Sequence, residues 1–255
     1  MLRERVSRVL PAVVKRQLRP CLVPLLHRLE RPRLERLYRQ FVASGDLVFD
    51  VGSAEGAHAR VFRRLGARVV AIEPQPYCLG VLKRRFADDP GVTLVAAGVA
   101  DREGEMTLHV SSGDPELSTF AAEKWRSGRH SGRRWESRLD VPVLTLDRLI
   151  ERFGRPAFIK VDVEGLEPQV VAGLGQAPRA LCFEFTGGLL EDAETCLATL
   201  ARLGPLVCNA SLFRRHRLVA DTWLGADELL ARLSSPGLAG DVFVSWGRGS
   251  PSAGR

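Results

Sequence analysis

Residue types capable of chemistry gather in two short segments. The first, Leu47 to Phe62, reads LVFDVGSAEGAHARVF, and the next apolar run closes on Glu73-Pro74. The second, Phe158 to Glu167, reads FIKVDVEGLE. In the first, Gly52 and Gly56 let the backbone turn tightly and admit a ligand where a Cβ would otherwise stand. Asp50 precedes that turn. Glu73, at the end of the following strand, can accept hydrogen bonds from both hydroxyls of a ribose. In the second segment, side chains two apart on a strand point the same way, so Lys160, Asp162 and in phase Glu164 face one cleft. A charge in so apolar a run is costly unless paired. Lys160 therefore either forms an ion pair at the sheet edge or orients an acceptor. Asp162 is the first candidate for a general base toward a hydroxyl; His58, His109 and His130 are weaker ones.

The first turn fits a nucleoside cofactor. A dinucleotide would want GxGxxG, because its pyrophosphate sits on the helix N-terminus and needs the middle glycine. This chain has GxxxG, with Ala54 in the middle and Glu55 where phosphates would lie. S-adenosylmethionine has a sulfonium and an ammonium and no phosphate, so Asp50 and Glu55 carry no electrostatic penalty beside it. The spacing favours the methyl donor. An NAD(P)-binding oxidoreductase and a non-catalytic nucleoside-binding protein tethered by a basic N-terminus stand as alternatives. The oxidoreductase would want a Tyr-x-x-x-Lys pair, and neither Tyr38 nor Tyr77 has a lysine four residues on.

The elements that must position these residues alternate. Strands are expected at 46–51, 68–73, 92–96, 156–161, 180–185, 206–213 and 241–246, with 105–110 extending the sheet or forming a hairpin. Helices are expected at 57–65, 76–86, 166–173 and 193–203. Such a rhythm implies an α/β fold whose mostly parallel sheet has helices on both faces. Residues 111–139, rich in Ser, Gly and Arg, break the rhythm where a substrate lid would sit. The expected organisation is a basic helical extension over 1–42, a catalytic domain over 43–246 and a disordered tail over 247–255.

Charge is unevenly distributed. Residues 1–40 hold eleven basic and three acidic side chains, an excess of eight, so with a total of +7 the remaining chain carries −1. A nucleic-acid enzyme would more often line its cleft with basic charge, and no nucleic-acid partner is expected. The basic prefix lacks the apolar core of a signal peptide. It reads as a helix packed on the domain, dispensable for cofactor binding, or as an amphipathic element on anionic lipid. No apolar stretch approaches the roughly 20 residues of a membrane span. Five scattered cysteines without a CxxC pair suggest reduced thiols and a cytoplasmic protein.

Taken in order, these segments resemble the FkbM-type family of S-adenosylmethionine-dependent O-methyltransferases. DVGSAEG stands for its opening turn, Glu73-Pro74 for its Glu-Pro, Gly98 to Gly104 (GVADREG) and Leu139 to Leu149 (LDVPVLTLDRL) for two further stretches, and IKVDVEGLE for its signature. Glu184 matches its acid at the next strand end. The resemblance implies a Rossmann-like class I methyltransferase fold with a seven-stranded sheet and an antiparallel last strand. It implies cofactor contacts from Asp50, Gly52, Ser53, Ala54, Gly56, Glu73, Pro74, Gly98 and Ser118, with Thr119 beside it, and catalytic roles for Asp162, Lys160 and Glu164. The acceptor it implies is a hydroxyl of a sugar, glycan precursor or secondary metabolite. No metal is assigned, although Asp162, Glu164 and Glu184 are of a type to hold a hard cation.

Overall fold

The computed structural model describes residues 28–111, 115–123, 135–186, 190–213 and 215–246. The expected tail, most of the prefix, the lid residues 112–114 and 124–134, His130 and Cys21 lie outside the described residues. A helix α1 over 28–38 precedes β1 (Leu47–Val51), α2 (Ala57–Arg64), β2 (Arg68–Ile72), α3 (Pro76–Arg85) and β3 (Val92–Val95). Short strands β4 (Gly98–Val99), β5 (Gly104–Val110) and β6 (Ser137–Leu144) follow, then α4 (Leu146–Phe153), β7 (Phe158–Val161) and α5 (Glu167–Ala172). The last described elements are β8 (Ala180–Thr186), α6 (Glu191–Ala201), β9 (Leu206–Leu212), α7 (Ala226–Leu233) and β10 (Ala239–Trp246).

Seven strands form one sheet in the order β3-β2-β1-β7-β8-β10-β9. β10 is antiparallel to both neighbours, and the other pairings are parallel. This is the expected α/β architecture with its antiparallel last strand. The strand order reverses between β1 and β7, and the crevice there, at the carboxyl edge, is where such sheets bind ligands. Residues 104–110 do not extend the main sheet. They pair with β6, which also takes β4, in a separate three-stranded sheet. β6, α4 and α7 were not foreseen as elements. β6 starts within the stretch read as a lid, where four exposed residues precede the first buried one and mask the alternation.

The two faces of the main sheet are covered differently. On one, Phe49, Val51, Val70, Ile159, Val161 and Phe183 pack under α4, α5 and α6. On the other, Val48, Phe158, Ala180 and Phe243 meet Leu34, Leu37, Tyr38 and Phe41 of the N-terminal segment. Each such burial stabilises by roughly 1.5–3 kcal/mol before entropy is counted. The prefix expected to pack on the domain does so, and it contributes to the core from residue 34 onward. The phenol of Tyr38 also meets His58 Nδ1 at 3.1 Å.

Candidate active site

The turn after β1 is built from backbone. Gly52 has φ 77°, and a Cβ there would lie 1.7 Å from the carbonyl oxygen of Asp162. No side chain fits, so this glycine holds the two motifs against each other across the β1–β7 pair. Gly56, with φ 78°, packs on Leu82 and Phe86 in the same manner. Between them Ala54 takes φ 47°, an uncommon conformation for a residue with a Cβ. Its N–H donates to Glu73 Oε2 at 2.8 Å, and the N–H of Gln75 donates to Glu73 Oε1 at 2.8 Å. Both carboxylate oxygens are thus fixed by main chain, each with a lone pair left for a ligand. Burial outweighs these bonds and pushes the Glu73 pKa up to about 7. Asp50 is buried, its Oδ2 accepts from Ser53 Oγ at 2.6 Å, and burial raises its pKa as well.

A cleft of about 490 Å³ opens beside this turn. Of the residues expected to contact cofactor, Gly52, Ala54, Glu73, Pro74, Gly98 and Ser118 line it, as do Asp162 and Glu164 from the second motif. Asp50, Ser53, Gly56 and Lys160 do not reach its wall; they stand behind it. Ser118 Oγ is engaged within its own loop, donating to Pro115 O at 2.8 Å and accepting from Ser111 N. Sequence reading missed the apolar end of the cleft, formed by Ile72, Ala97, Val99, Leu108, Pro115 and Phe120. Gly98 belongs to that end: a Cβ would lie 2.7 Å from the Phe120 ring. Gln75 was also missed, though Gln-Pro before an apolar-periodic stretch is a readable helix start. Its side chain caps α3 by accepting from Cys78 N at 3.0 Å.

The second motif is built from charge. Lys160 Nζ donates to Asp162 Oδ2 at 2.6 Å; the lysine is fully buried, whereas the Asp162 side chain keeps 30% exposure. Burial alone would lower the lysine pKa, and Asp162, Asp241 and Asp50 reverse this and raise it. Register explains the gathering. Asp50 aligns with Lys160 across β1–β7, Lys160 with Cys182 across β7–β8, and Asp241 with Glu184 across β10–β8. For Asp162, burial is outweighed by Lys160 and by a hydrogen bond with Glu184, and its pKa falls below the ordinary carboxylate range. Burial beside Asp162 and Glu164 drives the Glu184 pKa far upward. Asp162 and Glu184 are hydrogen-bonded to each other and titrate together, with the Lys160 ammonium favouring the ionised form of Asp162.

Glu164 follows in a left-handed turn with φ 55°, and its carbonyl accepts from Thr119 Oγ1 at 2.8 Å. Glu167 accepts from the N–H groups of Val163 and Gly165, both at 3.1 Å, and closes the turn. Thr119 is buried and ties the loop to the motif rather than facing the cleft. Carboxylate oxygens of Asp162, Glu164 and Glu184 lie within 4.8 Å of one another, a grouping able to hold a divalent cation. Asp241, ten strands into the chain, gave no sequence signal; it acts here only because β10 inserts beside β8.

A family model for the methyltransferase FkbM domain matches residues 50–196, more than half of the chain and both motifs, though not Asp241. The chain belongs to the FkbM methyltransferase family. It is 28% identical over 174 residues to the hexuronic acid methyltransferase AglP of Haloferax volcanii, covering 66% of this chain and 67% of that one. It is 41% identical over 64 residues to the C-methyltransferase NovU of Streptomyces niveus, covering 25% of this chain and 14% of NovU. Among solved structures, a precorrin-6y C5,15-methyltransferase from Geobacter metallireducens superposes with a TM-score of 0.44 at 11% identity, over 84% of this chain and 86% of that one. The chain is thus an S-adenosylmethionine-dependent methyltransferase, and the dinucleotide and non-catalytic readings fall away. The residues present fit the cofactor: both carboxylate oxygens of Glu73 are fixed with lone pairs left for a ribose, and among the described residues no basic side chain lines the cleft where a sulfonium would lie.

Proposed function

We propose that the chain is an O-methyltransferase whose acceptor is a hydroxyl of a sugar, glycan precursor or secondary metabolite. The carrying observation is a carboxylate, Asp162, paired with the buried Lys160 at 2.6 Å and opening into the cleft that Glu73 and Gly52 line. Glu73 would hold the ribose, the apolar end with Phe120 the adenine, and the wall at Gly52 the methionyl part. S-adenosylmethionine, when bound, supplies a methyl group made electrophilic by a sulfonium. The chain's own part is to seat a hydroxyl in line with that methyl and shield it from water.

An alcohol oxygen becomes strongly acidic as its new C–O bond forms. A base with little affinity for protons in the resting state is therefore sufficient. Asp162 takes the proton, and Lys160 keeps the carboxylate ionised until then. Glu184 is hydrogen-bonded to Asp162 and fixes its orientation. Glu164 lies at the acceptor side of the wall and would bind a sugar hydroxyl. The hexuronic acid methyltransferase AglP supports a sugar acceptor; the C-methyltransferase NovU makes carbon the competing atom.

The test is an acceptor screen. Free hexoses, hexuronic acids and their nucleotide-linked forms are supplied with S-adenosylmethionine, and S-adenosylhomocysteine release is measured. Product NMR should show a methoxy carbon. A methyl on carbon, or a methyl ester on a carboxylate, would overturn the hydroxyl assignment.

A further inference from the structure

The basic excess seen in the sequence comes to the surface on one side of the molecule. Helix α1 turns Leu34, Leu37 and Tyr38 into the core and Arg28, Leu29, Arg33 and Arg36 outward. Some of the helix's charge is spent internally, since Arg31 and, from α2, Arg64 both lie on Glu35, at 3.5 and 2.6 Å. Arg33 lies near the turn that follows β9: burial and then the Arg33 guanidinium hold His216 below the ordinary imidazole range. That turn presents Phe213, Arg215, Arg217 and Val219 to solvent. Leu29, Phe213 and Val219 are 64, 38 and 37% exposed, and they are three of the five large apolar side chains left exposed among the described residues. Single exposed apolar residues carry no meaning. These three alternate with arginines on adjoining elements.

The position of this face relative to the cleft follows from the topology. β9 and β8 are both antiparallel to β10, so β9 runs with β8 and its following turn lies at the carboxyl edge of the sheet. At the other end, Phe41 O accepts from Arg179, just before β8, at 2.5 Å, so the chain leaving α1 is at the amino edge. Helix α1 therefore runs from the carboxyl edge, where Leu218 of the segment after β9 packs against the cluster that holds Leu34 and Leu37, down to the amino edge. The arginine-rich apolar face flanks the same edge on which Asp162 and Glu164 open into the cleft.

We propose that this face docks the enzyme on an anionic lipid surface. Each basic side chain near such a surface strengthens binding roughly fivefold, and apolar side chains between them gain by leaving water at the headgroup boundary. The twenty-seven residues before α1 add six basic side chains against one acidic. A nucleic acid fits less well: of the three exposed apolar side chains only Phe213 offers a ring for a base to stack on, and the cleft wall carries Glu73, Glu116, Asp162 and Glu164. If the acceptor is a glycan, as proposed above, docking in this orientation presents the cleft to one carried at the membrane.

The test is co-sedimentation of the full chain with phosphatidylcholine vesicles, with and without phosphatidylglycerol. Binding to the anionic vesicles should be at least tenfold tighter and should weaken as salt rises. Arg33→Glu with Arg217→Glu should reduce it at least tenfold, and Phe213→Ser several-fold with every charge intact. S-adenosylhomocysteine affinity, measured on the same samples, should be unchanged, which reports an intact fold and cofactor site. Equal binding to both vesicles, wild-type binding by the charge-reversed variant, or displacement from vesicles by a single-stranded RNA oligomer would each overturn the proposal while leaving the methyltransferase assignment standing.

Discussion

The turn after β1 and the end of β7 face the same cleft but are made of different materials. The first is a backbone device. Two glycines with positive φ, two main-chain N–H groups and one buried acid shape a wall that hardly depends on side-chain partners. The second is a charge device. One buried ammonium, the acids within its field and a hydrogen bond with Glu184 set the state of a half-buried carboxylate, Asp162. Backbone geometry suits a ligand that must always bind in one pose. Charge balance suits a group whose protonation changes during turnover.

That contrast can be broken by substitution. The largest effect expected is on turnover: Asp162→Asn should lower it by about 100-fold or more while S-adenosylhomocysteine affinity stays near wild type. Parallel loss of both, in kinetics and calorimetry, would mean that Asp162 belongs to the cofactor wall. Gly52→Ala should do the opposite and damage both devices together, because the added methyl meets the Asp162 carbonyl. Its signature is a lower melting temperature with cofactor affinity reduced more than tenfold; a stable variant with normal affinity would show that the two motifs are not locked there. Lys160→Met should cost about 3 kcal/mol of stability or more in a denaturant titration, since it strands buried acids. A neutral effect would mean that those acids are simply protonated.

A smaller effect sharpens the comparison by pH. The folded chain holds Glu73 with a pKa near 7, against an ordinary value of 4.5. Between these values the folded state binds more protons than the unfolded one, so stability falls as pH rises through that window. Glu167 and Asp241, each raised to about 6 by burial, act in the same direction over a narrower range. Glu73→Gln should flatten the part of the pH–melting curve nearest 7, by a few degrees. An unchanged curve would place the Glu73 proton elsewhere.

Legibility in the sequence followed the same division. Glycine spacing, the acid at the end of β2 and the alternation of Lys160 with Asp162 are local, so residue order alone exposed them. The antiparallel last strand came from the family resemblance rather than from periodicity. What stayed hidden was non-local. Thr119 reaches Glu164 across forty-five residues, and Asp241 joins the charge cluster only through strand order. The roles of Asp50, Ser53 and Lys160 were also displaced by one layer, because spacing shows which side a residue faces and not how deep it lies. That the prefix packs on the domain was legible, but Pro32 and the arginines obscured which face does so, the one made by Leu34, Leu37, Tyr38 and Phe41.

The most direct measurement is isothermal titration of the protein and of Glu73→Ala with S-adenosylhomocysteine, with NAD as the control. The account predicts micromolar binding to the wild type, at least tenfold weaker binding to the variant and none of NAD. Equal affinity in the two proteins would contradict the central claim that the ribose is held at Glu73 in this cleft.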